Sequence, residues 1–139
     1  MNRQPRVTIG AVVFNNEEKI LLLKSPKWNG KYILSCGHVE FGETLEDAVK
    51  REVREETNLN VDDVKFLRVV EFINSSDYYN RNLHFIGLQH TCKTHEKEVR
   101  INREADSYIW TSPLEALKMD LEKGTRATIE YYLSSIKSK

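Results

Sequence analysis

The segment from Leu45 to Thr57 constrains the fold most, because residues typical of helix caps stand at both of its ends. Thr44 precedes it as an N-cap residue, and Asp47 follows three residues later as the partner of a capping box. Asn58 comes after the segment as a left-handed terminator, since asparagine is second only to glycine at that position. We therefore predict a helix from about Leu45 to Thr57.

The apolar face of this predicted helix contains acidic residues. On a helical wheel of about 100° per residue, Glu56 lies in the middle of the apolar arc around Glu52, and Glu55 lies at its edge. Four apolar residues fall within roughly 60° of Glu52 and a fifth at about 100°: Leu45, Ala48, Val49 and Leu59, then Val53. The opposite side carries Asp47, Lys50 and Arg54. We expect two of the three glutamates to point toward the protein body and the third to flank them.

Three carboxylates placed in this way require a cation. Acids at i, i+3 and i+4 repel one another by a few tenths of a kcal/mol per pair even on an exposed helix. Partial burial and the negative end of the helix dipole raise that cost. Arg51 can hold one carboxylate, and oxygen ligands of this kind suit Mg²⁺ or Mn²⁺. The alternative is a solvated Glu-rich helix, but the position of the acids among apolar residues favours a metal site.

The remaining segments predict an α/β domain. Apolar and β-branched runs predict five strands: Val7 to Phe14, Ile20 to Lys24, Val64 to Ile73, Leu83 to Thr91 and Ser107 to Trp110. Tyr32 to Leu34 is a short apolar piece between the second and third of them. Gly37 to Glu43 reads as a loop. A short helix is expected from Ser112-Pro113 to about Met119. Gly124 separates it from a last amphipathic helix, whose apolar face carries Ile129, Tyr132, Leu133 and Ile136. Strands mixed with three helices are typical of α/β folds, and 139 residues fit one domain.

The charge balance excludes some classes of partner. The chain carries 21 basic and 21 acidic residues, so no net charge attracts it to nucleic acid or to an anionic membrane. No apolar run reaches the roughly 18 residues of a membrane-spanning helix. Met1 to Arg6 lacks the apolar core of a signal peptide, which predicts a cytoplasmic protein. Cys36 and Cys92 are too few for a disulfide framework and are expected as reduced thiols.

The stretch from Gly37 to Leu59, GHVEFGETLEDAVKREVREETNL, resembles the Nudix box. That box is Gly, five residues, Glu, seven residues, Arg-Glu, an aliphatic residue, any residue, Glu-Glu, any residue, Gly and an aliphatic residue. Eight of its nine defined positions match over 23 residues, and Asn58 stands where the family has glycine. Upstream, many members have Leu-Pro-Gly-Gly where this chain has Leu-Ser-Cys-Gly, so Cys36 lacks the conformational freedom of glycine at this turn.

The resemblance implies one Nudix hydrolase domain over residues 1–139, folded as an α/β/α sandwich with a mixed sheet. It also implies Mg²⁺-dependent hydrolysis, with Mn²⁺ as the second choice, of a pyrophosphate bond in a nucleoside-diphosphate-linked substrate. The GHVEFGE wording looks most like MutT-type enzymes, which convert a nucleoside triphosphate to a monophosphate and pyrophosphate. The partner would be a small nucleotide, and many relatives are homodimers.

Other activities of the family stay open at this point. ADP-ribose pyrophosphatases often carry a proline about fifteen residues beyond the box, and this chain has none between Pro26 and Pro113. Dinucleoside-polyphosphate hydrolases often carry a tyrosine near the place of Tyr78. Nucleotide-sugar hydrolysis is a further alternative. A non-catalytic nucleotide sensor is also possible in this family, but it usually accompanies a degraded box or a DNA-binding domain.

The resemblance also assigns roles to residues of the box. Glu52 and Glu56 are implied as the main metal ligands, with Glu55 bound directly or through water. A backbone carbonyl of the turn at Gly37 completes the implied ligands. Arg51 would orient a glutamate, and Glu43 would brace Arg51 from the loop.

The general base is not settled by the resemblance, because family members differ. Some use a box glutamate, which here is Glu52 or Glu55. Others use a glutamate on a later loop, for which Glu104 is the best-placed candidate, with Glu96 and Glu98 as alternatives.

Substrate-binding residues are sought among loop aromatics and cations. Trp28, Tyr78 and Tyr79 are candidates for stacking on a base, with loop packing as the alternative. Candidates for phosphate contacts are Lys24, Lys27 and Arg81. Cys36 beside His38 suggests a thiol nucleophile, but a third orienting group is missing, so we expect Cys36→Gly to preserve activity.

Overall fold

The computed structural model describes residues 3–80 and 82–137, and its strands form one mixed sheet. The strands are β1 (Arg6–Phe14), β2 (Ile20–Ser25), β3 (Lys31–Ile33), β4 (Ser35–His38), β5 (Asp62–Ile73), β6 (His84–Lys93) and β7 (Ser107–Thr111). The helices are α1 (Leu45–Thr57), α2 (Pro113–Ala116) and α3 (Lys123–Lys137), with a 3₁₀ turn at Pro26–Trp28. Arg81, a candidate phosphate contact, lies outside the described residues, as do Met1 and Asn2.

The sheet combines parallel and antiparallel pairing. Its order is β3-β2-β1-β6-β5, with β4 paired to β1 and β7 paired to β2. Strands β1 and β6 run parallel, whereas β5 and β6 form an antiparallel pair. Helix α1 packs on one side of this sheet, and α2 and α3 pack on the other. The predicted α/β/α sandwich with a mixed sheet is confirmed.

The two sides of the sandwich follow from the alternation of side chains along β1. Ile9, Ala11 and Val13 belong to the core on the α1 side, together with Val49 and Val53 of that helix. The intervening residues, Val12 and Phe14, join the second core, under α3. A strand whose side chains are buried on both faces reads as a continuous apolar run, which is why Val7 to Phe14 was predicted as a buried strand.

Helix α1 begins and ends where its capping residues predict. The Thr44 hydroxyl accepts a hydrogen bond from the Asp47 N–H at 3.1 Å. Asn58 adopts a left-handed conformation with φ of 66°, and its N–H donates to the Arg54 carbonyl. Asn58 therefore replaces the glycine of the box without loss of the helix terminator.

Several sequence-based expectations were wrong. Gly37 lies in strand β4 instead of a loop, because residues 35–38 pair with β1. Cys36 is part of the same extended strand, so this turn does not need the freedom of glycine. Gly124 lies in the first turn of α3, where a Cβ would come within 2.3 Å of the Phe72 ring. Helix α2 ends at Ala116, before the expected Met119.

Two side chains of the predicted apolar faces are exposed. Leu45 and Ile136 keep 36% and 48% of their surface accessible, because each stands near the end of its helix. Within residues 3–80 and 82–137, no helix is both long and apolar enough to cross a membrane.

Candidate active site

A cleft at one end of α1 brings together acids from distant parts of the chain. Its enclosed volume is about 170 Å³. The candidate residues from the sequence that line it are Lys27, Trp28, Gly37, Glu52, Glu56, Tyr78 and Glu104, together with Cys36 and His38 of the thiol hypothesis. Lining residues that were not predicted include Phe72, Phe85, Gln89, Glu122 and Thr125. The structure thus joins the acidic helix to a chamber with aromatic walls.

Glu56 is the most deeply buried acid of the helix, with 5% of its surface exposed. Its Oε1 accepts hydrogen bonds from the Ser35 hydroxyl at 2.5 Å and from the Cys36 N–H at 3.0 Å. No lysine or arginine among the described residues pairs with it. Burial raises the pKa of Glu56 to about 8, and the charges of Glu52 and Glu104 add to this shift. A buried carboxylate without a cationic partner is a strong candidate for binding a metal ion.

Glu52 lies directly over the Cα of Gly37. A Cβ built on Gly37 would come within 2.1 Å of the Glu52 carboxyl carbon, which only glycine avoids. The Glu52 side chain is 13% exposed, and burial raises its pKa although Arg51 opposes the shift. Gly37 is therefore required to make room for this carboxylate and not for a left-handed turn.

Arg51 connects the box loop to the glutamates of α1. Its guanidinium binds Glu43 through two hydrogen bonds of 2.7 and 3.0 Å, and this pairing lowers the pKa of Glu43 to about 2. The same group donates to Glu52 at 2.8 Å and to Glu55 at 3.3 Å. It also donates to the carbonyl of His38. Both contacts that the resemblance implied for Arg51 are thus present in the structure.

Glu55 lies at the edge of this group, with 54% of its side chain exposed. The wheel prediction that two acids face the body while the third flanks them is confirmed by the burial of Glu52, Glu55 and Glu56.

Glu104 reaches the cleft from the loop before β7. Hydrogen bonds of Asn102 to the carbonyls of Glu55 and Glu56 attach this loop to the end of α1. The Glu104 carboxylate is 47% exposed and lies 3.5 Å from the Lys27 amine. The alternatives Glu96 and Glu98 do not line the cleft. Glu96 accepts from the Asn60 N–H, and Glu98 pairs with Arg100 in solvent.

The three candidate aromatic residues differ in position. Trp28 is only 8% exposed, and its ring lies 4.5 Å from that of Tyr78. Both line the cleft, but Tyr79 is 63% exposed and lies outside it. Among the candidate cations, Lys27 lines the cleft, whereas Lys24 lies over the ring of Tyr32.

Cys36 is surrounded by carboxylates. Burial raises the pKa of its thiol well above the ordinary value, and the charges of Glu56 and Glu122 raise it further. A thiol held in its neutral form is a poor nucleophile. We expect Cys36→Ala and Cys36→Gly to keep kcat within about threefold of the wild type, since neither removes the backbone N–H that binds Glu56. Steady-state rates measure this, and loss of turnover with metal binding intact would restore the thiol hypothesis.

The oxygen ligands present fit a hard divalent cation. Glu52 is partly buried and Glu56 is buried, the charge of Glu52 raises the pKa of Glu56, and Arg51 pairs with Glu52 but not with Glu56. Within the described ranges, no three His, Cys, Asp or Glu side chains already stand together as a closed metal cage. Carboxylate oxygens, completed by water and substrate phosphates, are the usual ligands of hard divalent cations.

The raised pKa of Glu56 predicts how stability depends on pH without metal. The folded protein retains a proton up to about pH 8, whereas an unfolded chain releases it near the ordinary value of 4.5. The free energy of unfolding should therefore fall between these pH values, at up to roughly 1.4 kcal/mol per pH unit, and be level above them. Urea unfolding in EDTA measures this slope. If the free energy of unfolding of Glu56→Gln falls with pH as steeply as that of the wild type, the slope does not originate in Glu56.

The inner part of the cleft was missed because its signals are weak in sequence. Gln89 is one of several polar residues of β6, with His90 and Thr91 directly after it, so its polarity does not mark it as a site residue. Glu122 stands immediately before α3, where its side chain reads as a helix cap. Burial raises its pKa, and hydrogen bonds from Gly124 and Thr125 oppose the shift.

Comparison with known proteins follows this geometry. The model of the NUDIX domain family matches residues 4–132. Nucleoside triphosphatase NudI of Escherichia coli O139:H28 is 30% identical over 131 residues, which cover 88% of this chain and 93% of that protein. The MutT protein of Methanosarcina mazei Go1 has a TM-score of 0.80 at 24% identity, with 99% of both chains covered. The NUDIX domain of Shewanella oneidensis NrtR, solved with ADP ribose, has a TM-score of 0.79 at 21% identity, covering 97% and 90%.

Proposed function

The chain belongs to the NUDIX domain family and is a Nudix pyrophosphohydrolase, and from this premise we propose that it hydrolyses nucleoside triphosphates to monophosphates and pyrophosphate with Mg²⁺. The observation that carries the proposal is the buried carboxylate of Glu56 beside Glu52, in one cleft with aromatic walls. Acids suited to a metal–phosphate complex and rings suited to a base then lie in one binding site. The 30% identity to a nucleoside triphosphatase supports this substrate class over ADP-ribose.

Box residues would hold the ion and position its ligands. Glu52, Glu55 and Glu56, with the Gly37 carbonyl, are the proposed oxygen ligands for Mg²⁺, and Mn²⁺ is the second choice. When bound, the ion neutralises phosphate oxygens and lowers the pKa of a coordinated water. Arg51 positions the Glu52 carboxylate through the 2.8 Å hydrogen bond.

Glu104 is the proposed general base. Its carboxylate lines the cleft, and it is accessible enough to exchange its proton with solvent. It would take a proton from the attacking water while the water oxygen bonds to the α-phosphorus. The bond from the α-phosphorus to the α–β bridging oxygen then breaks. The electron pair of that bond leaves with pyrophosphate. Glu52 and Glu55 are the alternatives on α1.

Replacing Glu104 by glutamine tests this assignment. We expect kcat to fall by about 100-fold or more with little change in KM, because the amide cannot take the proton. The matched control is Glu98→Gln, which removes a carboxylate of the same loop that pairs in solvent with Arg100. A rate for Glu104→Gln equal to that of the control would move the base to α1.

A substrate panel tests the function itself. The purified protein is incubated with Mg²⁺ and nucleoside triphosphates, ADP-ribose, nucleotide sugars and dinucleoside polyphosphates, and EDTA serves as the blank. We expect Mg²⁺-dependent release of pyrophosphate from triphosphates at the highest kcat/KM. Faster cleavage of another class would replace the substrate assignment. Tight nucleotide binding without turnover of any member would instead favour the non-catalytic sensor.

Two sequence-based expectations concern the state of the protein in the cell. A homodimer and a cytoplasmic location stay predictions, and light scattering of the purified protein measures the first of them.

A further inference from the structure

The cleft continues past the catalytic acids into a chamber with aromatic walls. Trp28 and Tyr78 lie 4.5 Å apart between ring centroids, and Tyr78 meets Phe85 edge to face at 5.5 Å. Phe72 completes the wall at 5.7 Å from Trp28. These rings pack against one another and form an apolar wall of the cleft, on which a planar heterocycle can stack.

Residues 34–36 are hydrogen-bonded to the acids of α1 on one side and to the start of α3 on the other. The Ser35 hydroxyl is bonded to Glu56 on the α1 side. The preceding N–H, that of Leu34, donates to the Thr125 hydroxyl on the α3 side, at 3.3 Å. A nucleotide whose phosphates lie at the acids of α1 would therefore extend its base toward the beginning of α3.

Gln89 presents an acceptor to the chamber. The residue is 5% exposed, and its Nε2 donates to the Thr128 hydroxyl at 3.2 Å. Its amide lies against Gly10, where a Cβ would come within 2.0 Å of Oε1, so its orientation is held on two sides. No donor from residues 3–80 or 82–137 bonds to Oε1, although the residue lines the cleft.

Glu122 presents a second acceptor. It is 3% exposed and lines the same cleft. Its Oε1 accepts from the N–H and the hydroxyl of Thr125 at 2.8 and 3.1 Å. Among the described residues, its Oε2 accepts from the Gly124 N–H alone, at 2.5 Å. All three contacts come from donors, which favours the carboxylate as an acceptor. The second lone pair of Oε2 stays free for a ligand.

We propose that this chamber selects a nucleobase with an exocyclic amino group, whose two N–H bonds are accepted by Gln89 and Glu122. The proposal rests on the function proposed above and adds the base to it. The two acceptor atoms, Gln89 Oε1 and Glu122 Oε2, would attract an amino group and repel a keto oxygen. Cytosine and adenine nucleotides should therefore be preferred over uracil and hypoxanthine nucleotides.

The test compares substrates that differ mainly in this group. For the wild type we expect kcat/KM for CTP to exceed that for UTP by about 10-fold or more, and ATP to exceed ITP similarly. Glu122→Gln, which keeps an acceptor for the helix end but adds a donor, should reduce both ratios by about 10-fold. Glu130→Gln is the matched control, since Glu130 is an exposed acid of the same helix. A role in capping α3 alone would lower every rate equally and leave the ratios unchanged, which would overturn the proposal.

A second variant and a binding measurement keep this test independent of folding and of hydrolysis. Gln89→Met keeps the side-chain volume, removes the amide and should also reduce the CTP to UTP ratio. Calorimetry with CMP and UMP measures the chamber without turnover, and we expect CMP to bind more tightly by about 10-fold. Equal binding of both would overturn the base assignment even if triphosphates are hydrolysed. Preference for CMP without any hydrolysis would support the chamber while rejecting the proposed function.

Discussion

Replacing Glu56 by glutamine is expected to reduce turnover about a thousandfold or more while the fold persists. The amide carbonyl still accepts from Ser35 and from the Cys36 N–H, so the contacts that hold this side chain are retained. Only the negative charge is removed, and that charge is what the proposed metal ligand contributes. Activity and folding are therefore separated by one nearly isosteric change.

The same change has a second consequence, of opposite direction, for stability. Burial raises the pKa of Glu56 to about 8. In the metal-free protein, ionising this side chain at higher pH therefore costs free energy of folding. Glu56→Gln removes this cost. Near pH 8 in EDTA, the variant should therefore unfold at a higher urea concentration than the wild type. We therefore expect Glu56→Gln to be more stable and nearly inactive, as is typical where a residue is kept for activity at a cost in stability.

Three measurements decide the Glu56 prediction: kcat, Mg²⁺ affinity by calorimetry, and urea unfolding in EDTA. The matched control is Glu46→Gln, because Glu46 lies on the same helix but pairs with Lys50 in solvent. We expect the control to change none of these quantities by more than a small factor. A turnover rate near that of the wild type in Glu56→Gln would overturn the assignment of the metal ligands.

Gly37→Ala is expected to lower kcat/KM by about 100-fold or more with little loss of stability. The new methyl group would stand within 2.1 Å of the Glu52 carboxyl carbon, so this carboxylate must move. It is the far end of a flexible side chain, and moving it disturbs neither the backbone of β4 nor the core. The displaced carboxylate would no longer lie where the hydrogen bond from Arg51 holds it, which is why activity suffers more than folding.

Gly30→Ala provides the opposite pattern and serves as the control. Gly30 has φ of 74° and open space around its Cα, so alanine there introduces backbone strain but no clash. We expect a loss of about 1 kcal/mol in stability with a normal rate for the folded protein. Thermal melting and kcat/KM are measured for both variants. Normal activity of Gly37→Ala would show that the position of Glu52 does not matter for catalysis.

The helix at the centre of the site was predictable because its determinants are local. Caps at Thr44 and Asn58 act over a few residues, and a helix places side chains at a regular angle. The burial of Glu56 and the exposure of Glu55 therefore followed from the wheel alone.

Strand β4 was not predictable in the same way. Residues 35–38 are a strand only because they pair with β1, and such pairing depends on parts of the chain about 27 residues apart. The requirement for Gly37 likewise comes from the Glu52 carboxylate that packs over it. From the sequence alone, a glycine at this place would be explained by the backbone freedom of a turn. Leu45 was placed on the apolar face by the wheel, but 36% of its surface stays accessible because it stands at the start of the helix.

The sequence by itself thus determined the acidic helix, its metal-suited glutamates and the family, since each depends on spacing along the chain. Only the tertiary structure decided which later acid enters the cleft, because the hydrogen bonds of Asn102 to α1 bring Glu104 there and leave Glu96 and Glu98 outside. It also decided that Gln89 and Glu122 line the same cleft. Gln89 belongs to the central strand β6, and Glu122 directly precedes the last helix. No local pattern relates these two residues, and only the packing of α3 on the sheet brings them to one cleft.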